Sequence, residues 1–154
     1  MPSGAPRASA SASPGAGLDF QLAALTERIR AGLRQQGQFV TALATASIES
    51  PVPSGAVPLS IIALAMTNWA ATEGRWIAEH PAEGCYVAVQ ARYALGVDAV
   101  AAAAAAFTRV GGGTPDASGD SAARGVAALT GARSTFEAAN AEATAAASAC
   151  SAGS

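Results

Sequence analysis

Apolar residues recur at intervals of three and four positions in four separate stretches of the chain, and proline- or glycine-rich breaks divide them. In the first stretch Leu22, Leu25, Ile29, Leu33, Val40 and Leu43 fall on one stripe, while Arg28, Arg30, Arg34, Gln35 and Gln38 lie off it. This period is that of an amphipathic helix. The pattern predicts a helix capped by Asp19 and running to about Ser47. The tract SPVPSGAVP (50–58) then interrupts the chain, and Pro58 suits the first turn of a second helix, where its missing N–H costs nothing. Leu59, Ile62, Met66, Trp69, Trp76 and Ile77 form the second stripe. Its end is predicted at His80, because a residue before proline is turned away from the α region. Pro81 is expected to open the third helix, with Glu83 favourably placed against the helix dipole. Its stripe is Tyr86, Val89, Tyr93, Val97, Val100, Ala104 and Phe107. After the glycine-rich break GGGTPDASGD (111–120), a fourth stripe reads Val126, Leu129, Phe136, Ala143 and Cys150. Gly125 and Gly131 interrupt it, each weakening a helix by about 1 kcal/mol relative to alanine.

No stretch shows the two-residue alternation or β-branched enrichment of strands. The prediction is therefore an all-α fold, an up-down-up-down four-helix bundle over residues 18–150. Residues 1–17, MPSGAPRASASASPGAG, are expected to be a disordered tail, since this composition buries nothing to offset the entropy of ordering. The tract resembles the stalk that follows the lipid-anchored cysteine of bacterial surface lipoproteins, and that resemblance implies a lipid anchor upstream of the chain.

Composition narrows the function classes. At 154 residues the length suits one domain, but alanine supplies much of the apolar half, so the core must be thin and the helices close. All nine basic residues are arginine, and the net charge is −2. Nucleic-acid binding is not expected, because phosphate neutralisation needs a clustered basic face. No uninterrupted run reaches the roughly eighteen apolar residues of a membrane span; the nearest, 56–71, contains Pro58, Ser60, Thr67 and Asn68. The first ten residues lack the charged and apolar regions of a signal peptide. The expectation is a cytoplasmic chain or a mature fragment from which the signal segment is absent.

The two cysteines favour the second alternative. Alternating helix directions bring the start of the third helix and the end of the fourth to the same end of the bundle, where Cys85 and Cys150 sit. A disulfide between them closes a loop of about 65 residues and contributes roughly 4 kcal/mol in the chain-entropy picture. Disulfides persist in oxidising compartments, so the pairing implies an extracytoplasmic location, secreted or at the cell surface. Two unrelated buried thiols are the alternative.

Chemically capable side chains concentrate between Trp76 and Tyr93, WIAEHPAEGCYVAVQARY, which holds the single histidine and both tyrosines. On the second helix Leu59, Met66, Glu73 and His80 advance by sevens, beside Ile62, Trp69 and Trp76. Two polar groups thus fall on a stripe that should be apolar. A buried carboxylate needs a partner, and Tyr86, Tyr93, Arg92 or His80 are candidates. One reading is a ligand pocket with Glu73 and His80 as its polar groups and Trp69, Trp76, Tyr86 and Tyr93 as its walls. The other is that the stripe reaches solvent at the helix end and the aromatics are core.

Catalysis is not expected. His80 has Ile77 three residues before it, so the Glu-x-x-His pair of di-iron bundles is missing. A His80–Cys85 dyad needs a free thiol, and no nucleophile-elbow motif occurs. The glycine loop lacks the lysine of a phosphate loop. Two cysteines and one histidine fall short of a structural zinc set, so no metal is expected.

The segment RWIAEHPAEG (75–84) resembles the aromatic-x-x-x-His-Pro stretch of small, secreted, all-helical haem carriers of mycobacteria and their relatives. That resemblance implies His80, with Trp76 or Tyr86, facing a haem. A second likeness is to actinobacterial type VII secretion substrates, also alanine-rich helical hairpins, although the tryptophan-x-glycine turn is replaced by Trp-Ala at Trp69 and Trp-Ile at Trp76. The leading expectation is a non-enzymatic extracytoplasmic binding module for an unknown protein or small molecule. A carrier of haem or an aromatic ligand at Glu73 and His80 is the alternative, and a self-associating structural protein is a third.

Overall fold

The computed structural model describes residues 14–112 and 119–152. It is an all-α, up-down-up-down bundle of four helices: α1 (Pro14–Leu43), α2 (Leu59–Glu79), α3 (Val87–Gly111) and α4 (Asp120–Ala152). Residues 1–13 of the expected tail lie outside the described residues. Pro14 to Gly17 form the first turn of α1, so the helix starts ahead of the Asp19 cap that the sequence suggests. Proline is suited to that position, because a first-turn N–H has no helical partner to lose.

Helix α1 ends at Leu43 rather than Ser47 because the chain turns into a two-residue strand, β1 (Ala46–Ser47). It pairs in parallel with β2 (Val57–Pro58) across the proline-rich connection, a short strand pair that the sequence pattern did not suggest. Helix α2 stops where expected, with His80 closing it and donating its N–H to Trp76 and Ile77. The third helix does not open at Pro81. Residues 81–83 have no regular secondary structure, with Glu83 extended; Gly84 takes φ +57°, and a 3-10 turn (Gly84–Tyr86) leads into Val87. A positive φ is open to glycine without steric cost, and here it separates the Pro81 corner from the helix.

The core joins one stripe from each helix: Leu25, Ile29 and Phe39; Ile62 and Met66; Tyr86, Val89, Tyr93 and Val100; Leu129 and Phe136. Packing is close because the bulky residues face small ones. Phe136 lies against Tyr93, with ring centroids 5.5 Å apart, and a Cβ at Gly96 would overlap its ring. Gly125, which reads in the sequence as a weak point of α4, makes room for Phe107: a Cβ there would come within 2.7 Å of that ring. Two stripe assignments fail. Val40 and Val126 are 49% and 56% exposed, and the buried positions beside them are Gln36, Phe39, Gly125 and Leu129.

Gly84–Gly111 is long and apolar enough to cross a membrane by length and composition, with an 18-residue window of mean hydropathy 1.3. A search for an uninterrupted apolar run misses this segment, since Gln90, Arg92 and Asp98 punctuate it. In the bundle its inner face, from Val89 to Phe107, is core.

Cys85 and Cys150 form a disulfide, with Cα atoms 6.1 Å apart. Its position follows from the antiparallel packing of α3 and α4. The bond ties the 3-10 turn before α3 to the last turns of α4.

Candidate functional site

Glu73 occupies a core position on α2 and is 6% exposed. Its two carboxylate oxygens are served separately. Arg28 of α1 donates from Nη1 to Oε1 at 2.7 Å, and Tyr93 of α3 donates its hydroxyl to Oε2 at 2.6 Å. Both lengths are those of charge-assisted bonds. Three helices are thereby joined through one carboxylate. Of the partners suggested by sequence, Tyr93 is correct, while Arg92 pairs with Glu142 on the surface and His80 is turned elsewhere. Burial pushes the Tyr93 hydroxyl far above its ordinary range, and the hydrogen bond and charge of Glu73 push it the same way, while Arg28 opposes. The tyrosine therefore stays a neutral donor.

Arg28 also reaches outward. Its guanidinium carbon stands 4.6 Å from the centre of the Trp76 ring, within cation–π range. Trp76 in turn stacks on His80, with centroids 4.8 Å apart and planes 17° from parallel. His80 Nδ1 meets the Trp76 carbonyl oxygen at 2.9 Å. A carbonyl can only accept, so Nδ1 is the donor, and in the neutral ring Nε2 is left with its lone pair. The chain Glu73–Arg28–Trp76–His80 runs from the core to the end of the bundle.

There a pocket of about 170 Å³ opens between the first turns of α1 and the α2–α3 corner. Phe20, Ala24 and Leu25 form the α1 wall, and Trp76, Pro81 and Ala82 form the other. Gln21, His80 and Gln90 complete its lining. Two of these polar groups hold the corner in place. Gln21 accepts the Glu83 N–H at 3.0 Å, and Gln90 accepts the Ala82 N–H at 2.9 Å while donating to the His80 carbonyl at 2.7 Å. Pro81 and the positive-φ Gly84 leave this segment without helical bonds, so side chains from α1 and α3 supply hydrogen bonds in their place.

The candidate residues from the sequence thus separate. Trp76 and His80 line the pocket. Glu73 and Tyr93 lie in the core, away from its lining, and Tyr86 is buried at 2% exposure. Trp69 packs edge-on against Phe39 and Phe136 at 6.4 and 6.1 Å. The wall expected from Trp69, Tyr86 and Tyr93 belongs to the core instead: Tyr86 and Tyr93 are buried in it, Trp69 packs against it, and none of the three lines the pocket. Sequence reasoning missed the α1 contribution, Phe20, Gln21 and Arg28. Phe20 is 71% exposed, and an isolated phenylalanine at a helix start carries no periodic signal.

The pocket does not fit the porphyrin implied by the His-Pro resemblance. An apolar cavity of about 150 Å³ holds one benzene ring, whereas sites for larger ligands run from about 300 Å³ upward. Among the described residues no three His, Cys, Asp or Glu side chains gather where they could hold a metal ion. The chain matches no protein-family model, no curated protein and no solved structure.

Proposed function

We propose that this protein is a non-enzymatic binding module of an extracytoplasmic compartment, and that its pocket takes a single aromatic ring. The observation that carries the reading is the pocket itself: about 170 Å³, walled by Phe20, Leu25, Trp76 and Pro81, at the end of the bundle. Its volume suits one six-membered ring. Binding rather than catalysis is favoured because the Glu73 carboxylate already has both oxygens engaged, by Arg28 and Tyr93. The Cys85–Cys150 disulfide supports the compartment, since such bonds are rare where thiols are kept reduced.

The test is titration with toluene of a Trp69→Phe variant, in which Trp76 is the remaining tryptophan. A saturable change in Trp76 emission is expected, and Ala24→Leu, which fills the pocket, abolishes it. Emission that stays flat up to the solubility limit of toluene removes the reading.

A further inference from the structure

Building on this ring-binding reading, we infer that the pocket selects aromatic rings bearing a hydroxyl or N–H donor, phenol being the simplest, and that His80 Nε2 is the acceptor. The inference rests on an inventory of the side-chain acceptors that line the pocket. The side-chain oxygens of Gln21 and Gln90 each accept a backbone N–H of the corner. His80 Nδ1 is engaged by the Trp76 carbonyl, which fixes the tautomer and leaves Nε2 as the lining side-chain acceptor with no partner among the described residues. The remaining wall is aliphatic and aromatic, with the Trp76 ring held between contacts to Arg28 and His80.

His80 lines the pocket while remaining exposed, so a ring without a donor that covered Nε2 would displace water from that nitrogen with no replacement. A phenolic hydroxyl supplies the replacement. The same chemistry is offered by a free phenol or by a tyrosine side chain of a partner.

The experiment compares phenol with toluene, which match in shape and differ in the donor. Affinities are measured on the intact, disulfide-bonded protein by nuclear magnetic resonance shifts of the Trp76 indole N–H, at one mildly alkaline pH throughout. His80→Phe keeps a flat ring over Trp76 and removes the acceptor. The expected result is that the preference for phenol relative to toluene falls about three- to tenfold in His80→Phe, the range of one net hydrogen bond. An unchanged ratio, with both rings binding, overturns the inference and leaves the ring-binding reading standing. Failure of both rings to bind overturns the two together. A blocked Gly-Tyr-Gly peptide separates the sources. Binding it as tightly as phenol assigns the site to a partner's tyrosine, and excluding it assigns the site to a free phenol.

Discussion

Replacing Arg28 by methionine isolates the interaction on which the centre of the bundle depends. Methionine keeps most of the apolar stem, so the loss is mainly of charge and hydrogen bond. Breaking a fully sealed ion pair from one side costs about 3–5 kcal/mol, because a bare charge remains buried. Two features reduce that figure. The Arg28 side chain is 34% exposed, so water can approach the abandoned oxygen, and Tyr93 still serves the other one. The expected loss is about 2 kcal/mol, or roughly 4–8 °C in melting temperature for a chain of this size. Glu73→Gln costs less, about 1 kcal/mol, since the amide still accepts from Tyr93 and a half-wet guanidinium is easily hydrated. In the double variant no unpaired charge is left, so the two losses should fall short of their sum by about 1 kcal/mol or more. Urea unfolding followed by circular dichroism, with unchanged slopes, measures all three. Strict additivity, or an Arg28→Met loss under about 0.5 kcal/mol, would refute the claim that Glu73 depends on this arginine.

Three further outcomes follow from the same packing. Below the ordinary tyrosine value of 10.0, Tyr93 is neutral both folded and unfolded and adds no pH slope. Above it the unfolded state loses the proton and the folded state keeps it, so stability falls by up to about 1.4 kcal/mol per pH unit. Urea midpoints across the alkaline range should show this fall, and Tyr93→Phe should remove that share of it. Replacing Cys85 and Cys150 by serine should lower stability by about 4 kcal/mol; a loss below 1 kcal/mol in denaturant unfolding contradicts the entropic account. Gly96→Ala drives a methyl into the Phe136 ring and should cost about 1–3 kcal/mol, a loss that Phe136→Leu in the same chain partly restores. Equal melting temperatures for Gly96→Ala and the parent would show that the helices move apart freely.

How much of this was legible in the sequence depended on the kind of signal each residue gives. The α2 and α3 stripes were readable because Met66, Tyr86, Val89 and Tyr93 are large and evenly spaced. The α4 stripe was shifted in part, since alanine is equally at home on either face: Val126 attracted the assignment, whereas Gly125, Ala132 and Ala139 are the buried positions. Helix alternation favoured the disulfide, which the structure contains, with two separate buried thiols as the alternative. Glu73 stood out as a polar group on an apolar stripe, but its main partner did not. Arg28 lies on the flank of the α1 stripe, and a long side chain on a flank can reach inward or outward without changing the pattern. The pocket was half legible: Trp76 and His80 are named by chemistry, while Phe20 and Gln21 enter only because α1 extends past the α2–α3 corner.

That extension also explains why two polar residues on one heptad position meet different fates. Glu73 lies where three helices still face one another, so ionisation is tolerated only with donors from both neighbours. His80 lies two turns further on, where Pro81 stops α2 and the chain swings out, so the histidine meets the open side of α1. Between them Arg28 donates to Glu73 and lies over the Trp76 ring that His80 stacks upon. On the ring-binding reading, the buried carboxylate therefore sets the position of a pocket wall it does not touch. Glu73→Gln should weaken toluene binding by roughly threefold, the lower end of such indirect couplings, with the pocket lining unaltered. The measurement is toluene affinity in Glu73→Gln against the parent, at a urea-free temperature where both are folded. Identical affinities would mean that Trp76 is held by the α2 backbone and Pro81 corner alone, and that the core network serves stability only.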